Sequence, residues 1–241
     1  MKVPLSWLKD YVDVDIPVEE LAQKLFSCGL EVEELTYVGQ EIERCVVGRI
    51  ETIVPHPDSD HLQICTLNCG SYGEAIRIVT GAHNIREKDL VPVALDGSSL
   101  AGGVKIKKGK LRGVESNGML CSGEELGINE DWYEGADVNG ILLLHGDPAP
   151  GTDIRPVVGL DDYVLDIAVT ANRPDCQSVY GIAREVAALL GKPLRPLALD
   201  YTPADVSTAQ QVTVTVEAPD LCPRYIAHYV SDLNDAPTAL W

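Results

Sequence analysis

The chain has 241 residues, 45% of them hydrophobic and 23% charged, with a formal net charge of −18. That balance is that of a folded globular protein holding one large domain or two modest ones, and excludes a disordered or fibrous chain. The acidic excess repels phosphate and so excludes nucleic-acid binding spread over the whole surface. No apolar run approaches membrane-spanning length. The opening residues 1–9 are too soon interrupted for a signal peptide, so the expected location is the cytoplasm. Seven cysteines (Cys28, Cys45, Cys65, Cys69, Cys121, Cys176 and Cys222) form no Cys-x-x-Cys pair, which favours packed, reduced thiols over disulfides or a metal site.

In chain order, residues 4–12 predict a short amphipathic helix with Leu5, Leu8 and Val12 on one face. Asp15-Ile-Pro breaks it. A second helix begins at Pro17, with Glu19 and Glu20 in its first turn and Val18, Leu21, Ala22, Leu25 and Phe26 at helical spacing. Gly29 is its stop, and residues 31–38 look strand-like. From there, short apolar runs separated by Gly, Pro and Asp clusters predict a small antiparallel β-barrel. Its strands are expected near residues 45–54, 62–68, 75–80, 92–95, 119–122 and 141–144. A phase change at Thr66-Leu67 predicts a bulge, and residues 68–73 a hairpin turn. Residues 96–103 are Gly-rich, but no Gly-Lys-Ser/Thr follows and no helix opens there, which excludes a nucleotide P-loop.

The run Asp147-Pro-Ala-Pro-Gly-Thr-Asp153 marks a boundary. Beyond it residues 160–170 predict a strand. A helix follows Pro174, with Val179, Ile182, Ala183, Val186, Ala187 and Leu190 as its apolar stripe and Gly191 and Pro193 ending it. Residues 194–205 read as an extended Pro-rich linker. Two further strands are expected at 211–217 and 224–230.

Five of the eight residues from Lys105 to Arg112 are basic. Such a strip on a β-barrel fits a phosphate-binding face; on the charge pattern alone, a solvated hairpin whose lysines protect an exposed edge is the favoured reading. Elsewhere acids dominate: residues 1–39 carry 3 basic and 8 acidic side chains, 40–151 carry 10 and 17, and 152–241 carry 6 and 12. No paired acid/base, nucleophile or metal constellation is found. Asp161/Asp162 and Glu124/Glu125 are adjacent pairs that point apart, and His56 and His61 flank a turn and read as surface loop.

The pattern Lys-Leu-Arg-Gly-Val-Glu-Ser-Asn-Gly-Met-Leu-Cys-Ser122, with His56-Pro-Asp-Ser-Asp-His-Leu62 upstream, resembles the tRNA-binding OB domain that occurs alone and fused to aminoacyl-tRNA synthetases. The resemblance implies that Ser116 and Met119 contact tRNA, through a hydroxyl and a flexible thioether respectively. Lys105, Lys107, Lys108, Lys110 and Arg112 would supply phosphate contacts. His61 stands where the family usually has lysine, replacing a fixed charge by a side chain that is mostly neutral at neutral pH.

Three flanking features add to this: the helix pair ending Cys-Gly-Leu-Glu-Val-Glu33, the run Asp162-Tyr-Val-Leu-Asp-Ile-Ala-Val-Thr-Ala-Asn-Arg-Pro-Asp-Cys176, and Glu217-Ala-Pro-Asp-Leu-Cys-Pro-Arg-Tyr225. With them, the whole chain resembles the N-terminal piece of bacterial phenylalanyl-tRNA synthetase β subunits. That implies an α+β fold: residues 40–151 form an OB-fold barrel inserted in a small α/β domain made of 1–39 and 152–195. Residues 196–241 would be a linker and the first strands of a further, truncated editing-type domain. The implied function is non-catalytic tRNA binding and subunit scaffolding in ATP-dependent attachment of phenylalanine to tRNA. The implied partners are tRNA and a synthetase α subunit in an α2β2 assembly, with neither DNA nor a membrane. No cofactor is expected here; ATP and magnesium are implied for the whole enzyme. The alternative is an OB-fold protein-interaction scaffold with little RNA affinity, towards which the acidic charge tilts.

Overall fold

The structure, a computed structural model, describes residues 1–233. Its first unit spans Met1–Arg195, and a second begins at Pro196. The chain opens with β1 (Lys2–Pro4), α1 (Leu5–Lys9), α2 (Val18–Ser27) and β2 (Glu31–Tyr37). Only the middle of the first predicted helix is helical. Lys2–Pro4 is drawn into a ladder instead, and Tyr11 and Val12 end the helix as a turn on the Leu8 carbonyl. Pro17 precedes α2, as its fixed φ allows. At the other end Gly29, at φ +87°, lets Gly29 N–H reach the Phe26 carbonyl and Leu30 N–H the Leu25 carbonyl. This double bond pattern satisfies the last helical acceptors.

Six further strands and two hairpin arms follow as β3 (Glu43–His56), β4 (Ser59–Asn68), β5 (Ile76–Thr80), β6 (Leu90–Leu100), β7 (Val104–Lys105), β8 (Gly109–Leu111), β9 (Val114–Ser116) and β10 (Gly118–Leu120). The short helices α3 (Gly123–Leu126) and α4 (Ile154–Val157) precede β11 (Tyr163–Ala168) and α5 (Val179–Leu190). Among the described residues all strand pairings are antiparallel, and helices are few.

Two sheets organise the first unit. In the smaller, β11 lies between β1 and β2. A register shift at Asp166/Ile167 pairs Leu165 with Leu35 and Ile167 with Val32, so that Val32 and Leu35 both turn towards one core although three residues apart. That core joins Val3, Leu8, Leu21, Leu25 and Leu30 from the start of the chain to Leu165, Ile167, Ile182, Ala183 and Val186. Ser178 caps α5 by accepting the Gly181 N–H, and Gly191, at φ +63°, ends it.

The larger sheet runs β10-β6-β3-β4-β5, with β7 on β6. The middle of β3, from Cys45 to Ile50, is buried on both faces: Val46 and Ile50 join a cluster with Cys65, Leu67, Ile78 and Val93, while Cys45 and Val47 join another with Leu100, Leu126 and Ile154. The predicted bulge is present, with its extra residue on β3: Ile50 pairs with Leu67 and Thr52 with Thr66. Gly48 is required by close approach, since a Cβ there would lie 2.4 Å from Val93 Cγ2. Among the described residues no ladder closes this sheet. Beside β5, the end of β9 and the residue before β10 are held instead by Asn117 N–H to the Arg77 carbonyl (2.8 Å) and Val79 N–H to Ser116 Oγ (3.0 Å).

Four strand expectations differ from the structure. Residues 141–144 form no strand: Asn84 holds the backbone of Ile141 with both its amide atoms, and only Leu142 and Leu144 bond to neighbours, at Cys121 and Leu90. The strand expected to reach Ser122 stops at Leu120, because Ser122 and Glu125 form a reciprocal capping box that starts α3. In the second unit, residues 212–216 and 224–230 are exposed and in no ladder. Neither has a partner strand among the described residues, and a strand without one is not stable. Of the segment 196–241, residues 234–241 lie outside the described residues.

Candidate nucleic-acid interface

The basic strip occupies β7, a short connector and β8. The connector is anchored by Gly97 N–H to the Ile106 carbonyl (2.9 Å), Ile106 N–H to the Ser98 carbonyl (3.0 Å) and Lys108 N–H to Asp96 (2.8 Å). β8 and β9 pair only with each other, through a two-residue turn in which Arg112 (φ +45°) and Gly113 (φ +85°) are both left-handed. Turns of that hand match the twist of the paired strands. Lys105, Lys107, Lys108, Lys110 and Arg112 are all exposed. Lys105 lies 3.9 Å from Glu43, whereas Lys107, Lys108 and Lys110 form no ion pair among the described residues.

Beside the strip is an open groove of about 1580 Å³, lined by Thr80–Asn84, Lys105, Lys107, Leu111, Ser116 and Met119, and also by Glu124, Glu125 and Asp137. No Phe, Tyr or Trp is among the lining residues. The groove therefore offers cations, amides and apolar surface, with the His83 ring as its one aromatic side chain on which an unpaired base could stack.

The remaining predicted residues fall in different places. Ser116 is buried at 3% exposure, and its hydroxyl accepts from Val79 N–H and donates to the Gly118 carbonyl (3.0 Å). It ties β9 to β5, and the same residue lines the groove. Met119 is half-buried opposite Ala94, packs on the cluster containing Cys45 and Leu100, and lines the groove. His61 is exposed on β4 and lies outside the groove lining, although its carbonyl sits beside Gly81, which is part of it.

His56, expected on a surface loop, is 4% exposed. Its Nδ1 accepts the Asp58 N–H (3.1 Å), and its Nε2 is 3.1 Å from the Leu111 carbonyl. The only cue in the sequence is its place two residues before a turn amide, in His-Pro-Asp.

Asp175, Cys176 and Glu185 come close enough to hold a metal ion. Arg173 already fills that place: it pairs with Asp175 (3.0 Å) and Glu185 (2.8 Å) and points Nη2 at Cys176 Sγ (3.0 Å). The hydrogen bond from Arg173 holds the Asp175 carboxyl far below the usual range. This donor set does not fit magnesium, because a bound guanidinium supplies the positive charge. Among the thiols, burial pushes Cys65 and Cys69 up to about 11, which keeps them protonated and inert at neutral pH.

Comparison with known proteins bears on the same surface. Residues 45–153 match the family described as a putative tRNA binding domain. The whole chain is 47% identical to the phenylalanine–tRNA ligase β subunit of Clostridium acetobutylicum and 46% identical to that of Clostridium tetani. That of Moorella thermoacetica is 44% identical. In each case all of this chain, and 30% of the relative, is covered. Among solved structures, the C-terminal domain of Plasmodium vivax p43 aligns at 23% identity and a TM-score of 0.30, over 47% of this chain and 57% of that one, too slight a likeness to bear on the fold. The chain corresponds to the N-terminal region of phenylalanine–tRNA ligase β subunits and contains, at residues 45–153, a tRNA-binding domain.

Proposed function

We propose that this chain is the non-catalytic N-terminal part of a phenylalanine–tRNA ligase β subunit. It gives tRNA binding and subunit scaffolding to ATP-dependent attachment of phenylalanine to tRNA, in the cytoplasm, with a synthetase α subunit as partner in an α2β2 assembly. ATP and magnesium belong, on this reading, to the rest of that enzyme. The observation that carries it is the exposure of Lys107, Lys108 and Lys110, free of ion pairs among the described residues, beside a groove in a chain of charge −18. Cations left unneutralised amid so many carboxylates are suited to a polyanion.

The organisation proposed with it is an OB-fold barrel at 40–151 inserted between 1–39 and 152–195. In its favour are the five-strand order, the bulged β3 and the Asn117–Arg77 bond that brings the start of β10 to β5. The single core joining Leu25 to Val186 favours the split flanking domain. The residues proposed to meet phosphate are Lys105, Lys107, Lys108 and Lys110, with Met119 beside them and Ser116 shaping the groove wall.

The test is tRNA titration of the 241-residue chain at two salt concentrations. Lys105→Glu, Lys107→Glu and Lys110→Glu together should abolish binding. Binding equal to wild type by this triple variant would sink the reading. The acids in the groove lining would then favour the second one, a protein-interaction scaffold.

A further inference from the structure

Two hairpin turns far apart in sequence are fastened to each other. The β3–β4 turn presents His56 and Asp58, and the β8–β9 turn presents Leu111 and Arg112. His56 Nδ1 accepts the Asp58 N–H, so the neutral ring carries its proton on Nε2, and that N–H donates to the Leu111 carbonyl (3.1 Å). Arg112 Nη1 returns the link by donating to the Asp58 carbonyl (3.2 Å).

Both groups are unusual where they stand. His56 is the one titratable side chain among the buried polar residues described, the others being serines. Arg112 holds a left-handed conformation (φ +45°) that favours Gly or Asn. Two short strands paired only with each other are marginal alone. The base of this hairpin is tied to β5 through Ser116 and Val79; its tip has His56 and Asp58. Lys110 lies between the two ties.

We infer that His56 and Arg112 are positioning residues: they clasp the hairpin, whose Gly109 and Leu111 line the groove, and so fix where Lys110 stands beside it, and Arg112 is not itself a phosphate ligand. This rests on the tRNA reading above. The clasp explains why a guanidinium, and not a turn-favouring residue, occupies the tip, and why an imidazole is buried under a β-turn.

The test separates clasp from ligand with two readouts on the full chain. The variants are Arg112→Asn, which keeps a residue at ease in the left-handed region while removing the guanidinium, and His56→Ala, His56→Gln and Lys110→Ala. Hydrogen exchange of the amides from Lys110 to Ser116 reports the hairpin without RNA. Arg112→Asn and His56→Ala should each speed it by roughly 3–10-fold, the loss of about one net hydrogen bond. They should weaken tRNA binding by a similar factor with an unchanged log–log salt slope. His56→Gln, which keeps an amide donor for Leu111, should recover part of both losses. Lys110→Ala should leave exchange unchanged and reduce the slope by about 0.7–0.9.

Unchanged exchange in Arg112→Asn overturns the clasp, as does a fall in its slope like that of Lys110→Ala. Arg112 is exposed, so this variant decides the matter even where His56→Ala does not fold. If the lysine triple variant binds tRNA as wild type does, the tRNA reading fails, and the exchange result still judges the fastening itself.

Discussion

Gly181 packs its Cα against the carbonyl of Asp175: a Cβ at this position would lie 1.9 Å from that oxygen and 2.9 Å from its carbon. Both atoms are backbone and belong to the turn that Arg173, Asp175, Arg184 and Glu185 hold with ion pairs. Neither side can yield cheaply. Gly181→Ala, normally favourable in a helix, should instead destabilise the chain by about 1–3 kcal/mol through overpacking. Urea unfolding checks this, and a variant as stable as wild type would show that the α5 start shifts freely.

Leu25 and Val186 come from opposite ends of the first unit and share one core. Leu25→Ala should cost about 2–5 kcal/mol, as for a fully buried leucine. If the flanks form one cooperative body, Leu25→Ala and Val186→Ala should lower the same transition, with energies that do not add. Two separate transitions, each moved by one variant only, would break the inserted-domain arrangement.

What was legible in the sequence follows from how local each signal is. The cores of α2 and α5 and their glycine stops were readable, because spacing and capping lie within a few residues. Strands β3 to β6 were also placed, though β3 and β6 run longer at both ends than their apolar cores suggested. The capping box at Ser122 is equally local, but the apolar Met119–Leu120–Cys121 run before it has the signature of a strand that continues through Ser122. Non-local features were hidden. Lys2–Pro4 becomes a strand only because β11 passes beside it, and residues 212–216, which alternate cleanly, and the apolar run 224–230 have no ladder among the described residues. At the candidate site the exposed lysines were readable from composition. The burial of Ser116 and His56 depended on Val79 and Leu111, which lie tens of residues away.

Glu130 gives the loop beyond α3 a dependence on pH. Its carboxylate accepts from the Gly135 N–H (2.9 Å) and the Asp137 N–H (3.3 Å), and these bonds lower its pKa from the ordinary 4.5. A carboxylate whose folded value is depressed stabilises the loop above the unfolded value and loses that contribution as pH falls through the folded one. Exchange of the Gly135 amide should therefore be protected at neutral pH and lose protection in acid below about 4.5. Glu130→Gln should be less protected at neutral pH and show no such acid step. An acid step of wild-type size in Glu130→Gln would assign it to another group, such as Asp137.

Met119 and His61 separate apolar from ionic contributions at the proposed RNA face. Met119 lines the groove half-buried, so Met119→Ala removes thioether surface that carries no counterions. It should lower tRNA affinity while leaving the log–log salt slope unchanged, with some loss of stability because the side chain also packs on the cluster containing Cys45 and Leu100. His61 is exposed on β4, one strand over from the groove wall at Gly81. His61→Lys adds a flexible cation there without disturbing a core, and each new phosphate contact should steepen the slope by about 0.7–0.9. Titrations of tRNA against both variants at several salt concentrations check the pair. A steeper slope without tighter binding would mean that the added lysine meets RNA only in non-specific complexes. An unchanged slope and affinity would place the RNA path away from β4, along the β8–β9 hairpin alone.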